Sequence, residues 1–181
     1  IAAWENAERI AADGRFGENK MRIYASQNAP FTIMYDSWKA HSRELVPMTP
    51  EEGRQKAEVI LGKVLSNRKP PYSLAGGLFD VLEKSGGDMF KVSNDEIVSW
   101  VVKYFSLEGY DLFPASACAV SSLKQALDAG IVKHDETVML NVTGGGMLGA
   151  TRKGFILKEP DLILSPDLPA EEIIAAVDKL F

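Results

Sequence analysis

The chain has 181 residues, of which 46% are hydrophobic, and carries a formal net charge of −5 with acidic and basic residues interspersed. This composition suits the core of one domain and offers no basic stripe for nucleic acid or an anionic membrane. The sequence shows no apolar run that could span a bilayer and no signal-peptide pattern, and its single cysteine, Cys118, excludes an internal disulfide framework, so we expect a cytoplasmic protein.

The first residues, IAAWENAERIAADG, predict a helix, because apolar residues recur at helical spacing and Gly14 is a typical C-cap. A domain rarely begins on the first turn of a buried helix. We therefore expect that further sequence precedes Ile1, in preference to natural processing at this residue. A strand is predicted over residues 20–26, and a helix with Pro30 as its first residue is predicted to about Ala40.

Two capping boxes, Thr49–Glu52 and Ser93–Glu96, predict helices that continue to about Leu65 and Phe105. The other predicted elements are a helix over Leu74–Lys84 that stops at Gly86-Gly87, a strand over Met89–Val92, a helix over Pro114–Ala129 that stops at Gly130, strands over Thr137–Val142 and Leu162–Leu164, and a helix over Pro169–Leu180. The alternation of strand and helix predicts an α/β fold with a mainly parallel sheet, without an internal repeat or an interdomain linker.

The glycine-rich stretch TVMLNVTGGGMLG, residues 137–149, is the most informative part of the chain. A predicted strand ends at Thr143, and the glycines that follow let the backbone approach a ligand closely. Ligands of open α/β sheets collect outside the carboxyl ends of strands. Thr143 and Gly144 are therefore the first candidates for a binding site, the alternative being that the glycines only form a tight turn.

Two nucleotide-binding motifs nearly fit this loop. Gly144, Gly146 and Gly149 have the spacing of a dinucleotide fingerprint, but the residues that follow, ATRKGF, predict no helix to carry a pyrophosphate. Gly144 and Gly149 also have P-loop spacing, but Ala150-Thr151 stands where the motif needs Lys and then Ser or Thr. The sequence therefore favours neither motif.

Residues 113–146, FPASACAVSSLKQALDAGIVKHDETVMLNVTGGG, resemble threonine synthases and their relatives, which are pyridoxal-phosphate (PLP) enzymes of the tryptophan-synthase-β type. In that family a Pro-Ala-Ser-Ala segment opens a helix, a linker that begins with glycine follows, and the next strand ends in Leu-Thr-Gly-x-Gly. The matching parts here are Pro114–Ala117, Gly130–Val138 and Val142–Gly146. The resemblance implies a Rossmann-like, three-layer α/β/α fold of the fold-type-II class, with residues 1–181 as the C-terminal portion of the large PLP-binding catalytic domain.

The resemblance also implies roles for Thr143 and Gly144 as cofactor-binding residues. In the family, the Thr or Ser that matches Thr143 hydrogen-bonds the pyridine nitrogen of PLP. A hydroxyl does not leave that nitrogen protonated as an aspartate would, and the resulting weaker electron sink suits elimination of a leaving group from Cβ. The alternative is that Thr143 is a strand-end residue that only caps backbone.

The first helix matches the same family. Ile1-Ala2-Ala3-Trp4 resembles the helix start that directly follows the loop for the PLP phosphate, where the helix N-terminus offers positive partial charge and free N–H groups. The glycines of that loop and the Schiff-base lysine would lie upstream of Ile1. We assign no catalytic residue within this chain, since Lys20, Lys39, Lys124 and Lys153 all have the pattern of surface charges, and we expect the chain alone to be inactive.

A narrower resemblance concerns residues 15–40. Asn28-Ala29-Pro30-Phe31 and Tyr35-Asp36-Ser37-Trp38 resemble the matching part of cysteate synthases, which are threonine-synthase relatives of the coenzyme M pathway in some methanogens. Phe113 stands where threonine synthases usually have Glu before Pro-Ala-Ser-Ala, and an apolar ring in place of a carboxylate is consistent with dianionic sulfite as a substrate. The resemblance implies β-replacement, in which O-phospho-L-serine and sulfite give L-cysteate and phosphate.

Two alternatives stay open at this point. One is a threonine synthase that acts on phosphohomoserine, and the other is a non-catalytic ligand-binding or interaction module. The partners we expect are small-molecule substrates, with neither nucleic acid nor a membrane, in a homo-oligomer.

The remaining candidates favour structural roles. Cys118 lies in an apolar stretch and is predicted to be a core residue. His41 and His134 have no metal-ligand companions at useful spacing, so no metal site is predicted. Arg152 and Lys153 could attract sulfite or phosphate, although a solvated loop is the simpler interpretation. The tryptophans occupy apolar helical positions that predict core packing: Trp4, Trp38 and Trp100.

Overall fold

The computed structural model describes residues 1–145, 147–154 and 158–180, and its chain divides into two compact units, Ile1–Met147 and Leu148–Phe181. The elements of the first unit are α1 (Ala2–Asp13), β1 (Tyr24–Asn28), α2 (Ile33–Lys39), α3 (Pro50–Val59), a 3₁₀ turn (Lys63–Leu65), α4 (Leu78–Ser85), β2 (Asp88–Val92), α5 (Asn94–Glu108) and α6 (Pro114–Asp128). They are followed by α7 (Met147–Arg152), α8 (Ala170–Val177) and a 3₁₀ turn (Asp178–Leu180). No helix within the described ranges is both long enough and apolar enough to cross a bilayer.

The sheet of the described residues consists of β1 and β2, which run parallel. Tyr24 lies opposite Asp88 at one end of the ladder and Asn28 lies opposite Val92 at the other. α6 packs against both strands and against α5, and a buried apolar cluster that includes Val92 and Ile97 fills the space between them. The predicted α/β class with parallel pairing is therefore confirmed for these two strands, whose carboxyl ends lie side by side.

The predicted strands over Thr137–Val142 and Leu162–Leu164 are wrong. Neither segment has ladder partners among the described residues, and the only bridge near the first is an isolated antiparallel one between Leu112 and Gly145. Met139 is 79% exposed. A β-branched composition alone does not make a strand when no neighbouring strand supplies the hydrogen bonds.

Both capping boxes are confirmed. The Thr49 hydroxyl accepts from the Glu52 N–H at 3.2 Å, and the Glu52 carboxylate accepts from the Thr49 N–H at 2.8 Å. The Ser93 box has the same pattern at the start of α5. α3 nevertheless ends at Val59, well before the predicted Leu65, because the Asn94 side chain binds the end of the helix by donating to the Val59 carbonyl at 2.8 Å.

The predicted start of α2 at Pro30 is also wrong. The Ala29–Pro30 bond is cis, the Phe31 N–H donates to the Asn28 carbonyl in a turn, and the helix begins at Ile33. Phe31 is fully buried. Burial of this ring in the turn therefore sets the helix start three residues after the proline.

α1 has the predicted bounds, and Gly14 closes it in the left-handed conformation with φ 78°. Its predicted burial is wrong, because no residue of α1 is buried and Ile10 is 50% exposed. Trp4 is half-buried, with the Lys84 ammonium 5.8 Å from the ring centroid, instead of being a core residue. Trp38 is buried as predicted, and Trp100 is partly buried against the α5–α6 cluster.

Asp88, at the amino end of β2, accepts several hydrogen bonds at its carboxylate. Its carboxylate accepts from Trp38 Nε1 at 2.7 Å, from Lys39 Nζ at 2.6 Å and from the Met89 N–H at 2.7 Å. Burial by itself raises the pKa of Asp88, but these hydrogen bonds outweigh burial and hold the pKa below its ordinary value. The carboxylate thus joins α2 to the sheet in its ionised form.

This contact predicts a pH-dependent stability. A carboxylate with a depressed pKa stabilises the fold above the unfolded-state pKa of about 3.9, and the stabilisation is lost as the pH falls through that value toward the folded-state pKa. We therefore expect the free energy of unfolding to decrease from about pH 5 to pH 3, and to decrease less steeply in Asp88→Asn. Urea unfolding of wild type and Asp88→Asn at the two pH values checks this. Equal slopes for Asp88→Asn and wild type would contradict the assignment.

Candidate functional site

The glycine loop lies against the start of α6. The Gly144 N–H donates to Ser116 Oγ at 2.9 Å, and the Gly144 carbonyl accepts from the Phe113 N–H at 3.1 Å. Ser116 is the third residue of α6 and is buried. The structure therefore brings into contact the Pro-Ala-Ser-Ala segment and the Thr-Gly loop, which are two parts of the motif resemblance.

This approach restricts the space for a side chain at Gly144 and Gly145. A Cβ on Gly145 would lie 2.4 Å from the Asp111 carbonyl oxygen, and a Cβ on Gly144 would lie 2.8 Å from Cδ2 of the Phe113 ring. Thr143, directly before them, is exposed. Close packing against backbone thus requires glycine at Gly145, whereas the contact at Gly144 is with the Phe113 side chain, and Thr143 is exposed at the surface of this unit.

The helix that follows the loop corrects one prediction. α7 spans Met147–Arg152, whereas the residues after the glycines predicted no helix. Six residues are too few for the helix of a dinucleotide fingerprint, and Gly146, the middle glycine of that spacing, lies outside the described residues. The fingerprint stays unsupported.

A second polar feature lies at the carboxyl end of β1. Gln27 is 1% exposed, and its Oε1 accepts from the Met34 and Tyr35 N–H groups, both at 2.9 Å. These two donors fix which end of the amide is oxygen. The Nε2 group has no hydrogen-bond partner among the described residues. Gln27 therefore anchors the first turn of α2 with one end and leaves a buried donor at the other.

Gln27 borders a cavity of about 360 Å³. Its neighbours around the cavity include Ile1 at the start of α1, Ser26 and Asn67, and apolar side chains such as Met34 and Leu78. None of the side chains that line it within the described part of the chain is ionisable. A cavity of this size with apolar walls and a few polar groups is typical of a small-molecule site.

The helix that holds the glycine loop also carries the single cysteine. Cys118 is two residues along α6 from Ser116, whose Oγ accepts from the Gly144 N–H. Burial raises the pKa of Cys118 to about 11, and the Ser26 hydroxyl only partly opposes this. Cys118 is therefore a protonated, fully buried thiol, which confirms its prediction as a core residue.

The other sequence candidates are paired or exposed. Lys39 pairs with Asp88, and Lys124 pairs with Asp128 on the exposed side of α6. His41 and His134 are exposed, as are Lys20, Arg152 and Lys153. In the ranges that the structure describes, no group of three or more His, Cys, Asp or Glu side chains could hold a metal ion.

Sequence reasoning missed Gln27. The available signal was a long polar amide inside a strand, directly before Asn28-Ala29-Pro30. Its importance depends on α2 folding back over the strand, which no local pattern indicates.

No family model matches the chain. Curated proteins do, and those cited next are enzymes by name. The chain is 39% identical over 176 residues to a cysteate synthase of Methanosarcina acetivorans, which covers 96% of this chain and 42% of the relative. The chain is 39% identical over 180 residues to the cysteate synthase of Methanocella paludicola, and the match covers 98% of this chain and 42% of the relative. It is 44% identical over 147 residues to that of Methanoculleus marisnigri, and the match covers 81% of this chain and 34% of the relative.

The chain belongs to the cysteate synthase family, which confirms the resemblance seen in its motifs. It spans about two fifths of the length of the curated relatives it matches, 42% in the first two.

Proposed function

We propose that the complete protein is a PLP-dependent cysteate synthase that converts O-phospho-L-serine and sulfite to L-cysteate and phosphate. This chain would supply the C-terminal portion of its large, fold-type-II domain, and the Schiff-base lysine and the glycine-rich phosphate loop would be encoded upstream. The observation that carries the proposal is the hydrogen bond from Gly144 to Ser116, because it unites the two halves of the family motif beside Thr143. The coding sequence upstream of Ile1 tests the lysine and the loop directly.

The described residues fit PLP as a ligand. Gln27 lines the cavity at the carboxyl end of β1, and its buried amide nitrogen has no partner in the described part of the chain. The start of α1 borders the same cavity at Ile1. A helix start offers free N–H groups and positive partial charge to a phosphate. The cavity would offer apolar walls to the ring and the start of α1 to the phosphate.

Each part of the chain would have its own task. When bound, PLP supplies an electron sink for the α-proton's electron pair, which allows phosphate to leave Cβ and sulfite to add there. Thr143 would hold the ring nitrogen with its hydroxyl, and the first-turn N–H groups of α1 would bind the phosphate. Ser116, Gly144 and Gly145 would hold the loop so that Thr143 stays in place.

The hydroxyl of Thr143 suits this reaction. An alcohol donates a hydrogen bond without carrying negative charge, so it does not favour protonation of a ring nitrogen as a carboxylate would. The Phe113 ring, which packs against Gly144, keeps the same position free of a carboxylate. The proposal therefore leaves the position before Pro114 without a carboxylate.

Replacement of Thr143 tests its role in the complete protein. We expect Thr143→Val, which removes the hydroxyl at constant shape, to lower the rate of cysteate formation about tenfold, the worth of one hydrogen bond of about 1.4 kcal/mol. Thr143→Ser keeps the hydroxyl and serves as the control, with nearly wild-type rate. Steady-state kinetics and the absorption spectrum of bound PLP are the measurements. A Thr143→Val enzyme with the wild-type rate and spectrum would remove Thr143 from the site.

A substrate comparison separates the two enzyme alternatives. We expect the complete protein to release phosphate from phosphoserine in the presence of sulfite and to form cysteate. Turnover of phosphohomoserine, with no turnover of phosphoserine, would identify a threonine synthase. Failure to bind PLP would favour a ligand-binding or interaction module.

A further inference from the structure

The two outer edges of the sheet differ in their hydrogen bonding. In a parallel pair, the N–H and C=O groups of one residue point to the partner strand and those of the next residue point away from it. The Asp88 N–H donates to the Ile23 carbonyl at 3.3 Å, so Asp88 faces β1. It follows from the register that Met89 and Lys91 face the outer edge of β2, and that Ser26 faces the outer edge of β1.

Side chains satisfy the outer edge of β2. The Met89 N–H donates to Asp88 Oδ1 at 2.7 Å, and the Lys91 carbonyl accepts from Gln125 Nε2 at 3.1 Å. The same Asp88 oxygen accepts from Trp38 Nε1 of α2 at 2.7 Å, and Gln125 belongs to α6. Edge groups that are bonded to side chains are a common way to stop a sheet from adding a strand. The sheet therefore ends at β2.

The outer edge of β1 has no such cover. No strand of the described chain pairs with it, and the Ser26 N–H and C=O groups have no hydrogen-bond partner among the described residues. Ser26 is half-buried and is followed by Gln27, which is 1% exposed. Backbone groups so close to a core are almost always paired in a folded protein. The sheet is thus open for a further strand on the side of β1.

The position of α1 indicates the same side. The Lys84 ammonium of α4 lies 5.8 Å from the Trp4 ring centroid of α1, so α1 lies beside α4. α4 is part of the connection from β1 to β2, and its Leu82 packs in one cluster with Met89 of β2. Connections between parallel strands are right-handed in nearly all proteins, so two connections on the same face of a sheet lead in the same direction. A strand that α1 connects to β1 therefore lies on the side of β1 away from β2.

We infer that a strand located before α1 in the complete protein pairs in parallel with the outer edge of β1. This inference rests on the proposed function, under which the protein continues upstream of Ile1. The match to the Methanosarcina acetivorans relative covers 42% of that protein, so more than half of it lies outside the match. α1, which has no buried residue in this chain, would cover the added strand with its apolar side.

The added strand would also extend the wall of the cavity at the carboxyl end of β1. Ile1 and Ser26 both line this cavity. A strand parallel to β1 ends at the same edge of the sheet, so the residues that join it to α1 would lie beside the cavity. Because both faces of a parallel sheet are covered, we expect the coding sequence before Ile1 to contain a nearly continuous apolar run of about 4–8 residues.

Hydrogen exchange in the complete wild-type protein tests the pairing without a substitution. We expect the Ser26 amide to exchange at least about 100-fold more slowly than the Lys91 amide, because only the first would donate to the added strand. Gln27, whose N–H faces β2, provides the reference for a paired amide. NMR-detected exchange resolves these single amides. Equal rates at Ser26 and Lys91 would overturn the inference.

Two proline variants of the complete protein measure the same difference as stability. Ser26→Pro removes an outward N–H of β1, and Lys91→Pro removes the outward N–H of β2. Proline is tolerated on a free edge but not where a neighbouring strand needs the N–H. We expect the urea midpoint of Lys91→Pro to stay near wild type and that of Ser26→Pro to fall clearly below it, with Ser26→Ala as the control for the lost hydroxyl.

A Ser26→Pro variant as stable as Lys91→Pro would overturn the inference. If Ser26→Pro yields no folded protein, the exchange rates of the wild-type protein decide.

Titration of the same complete protein with PLP, followed by cofactor absorption, tests the proposed function separately. Protein that binds PLP but has equal exchange rates at Ser26 and Lys91 overturns the inference and leaves the proposed function standing. Protein that binds no PLP but protects the Ser26 amide overturns the proposed function and supports the added strand. A coding sequence that begins at Ile1 overturns both.

Discussion

Replacing Gly87 with alanine is expected to destabilise the protein by about 3 kcal/mol or more, the upper end of the cost of overpacking. An ideal Cβ at this position would lie 1.7 Å from the Ile23 carbonyl oxygen and 2.8 Å from its carbonyl carbon. Both atoms are backbone, so no side chain can rotate away. To relieve this contact, the segments that lead into β1 and β2 must separate. The separation would break the hydrogen bond that the Asp88 N–H donates to the Ile23 carbonyl at 3.3 Å.

The adjacent residue provides the control for this prediction. Gly86 ends α4 at φ 65°, and a Cβ there would meet no atom within 4 Å. Gly86→Ala should therefore cost only about 1 kcal/mol for the left-handed conformation. Urea unfolding of the two variants measures the difference. Equal destabilisation at the two positions would show that close contact with Ile23 is not what requires Gly87.

Truncation of Asn28 to alanine is expected to cost about 2–3 kcal/mol, because a fully buried amide at the end of β1 would be lost and its partner left unpaired. Its Nδ2 donates to the Val92 carbonyl at 3.0 Å and to Asn94 Oδ1 at 3.1 Å, and its Oδ1 accepts from the Gly62 N–H at 2.9 Å. The Val92 carbonyl keeps a second donor, the Ala29 N–H at 2.8 Å. The Gly62 N–H has no such substitute in the described contacts, so its desolvation accounts for much of the cost.

Asn67→Ala is the matched control for Asn28→Ala. Asn67 is exposed, and its side chain accepts one hydrogen bond, from the Lys69 N–H. Because water replaces the lost partner at an exposed position, we expect a change of about 0.5 kcal/mol. Thermal or urea unfolding distinguishes the two variants. A cost for Asn28→Ala no larger than that of Asn67→Ala would show that the Asn28 bonds are not essential to this end of the sheet.

Local chemistry explains what could be predicted from the sequence. The Thr49 and Ser93 capping boxes depend on residues three positions apart, and both helices begin where these pairs predict. Gly14 and Gly86 likewise end their helices through a backbone conformation that glycine adopts easily. Features that depend on residues close together in the sequence could thus be predicted from the sequence pattern.

Features that depend on distant segments were not. Residues 137–142 have the composition of a strand but no described partner strand to pair with, and α1 has an amphipathic pattern but no buried residue. Gln27 gains its meaning only after α2 folds back over β1. The motif resemblance selected Thr143 and Gly144 without geometry; the structure adds the contact of Gly144 with Ser116, and the cofactor role of both residues stays a prediction.

The burial of Cys118 has a practical consequence for spectroscopy. The only native sulfhydryl in these 181 residues is inaccessible and protonated, so maleimide reagents at neutral pH will not label it in the folded state. A cysteine introduced at the well-exposed Met139, four positions before Thr143, would then be the one position labelled with a fluorophore among these 181 residues. A change in the fluorescence of this dye would report ligand binding near the glycine loop without a measurement of turnover.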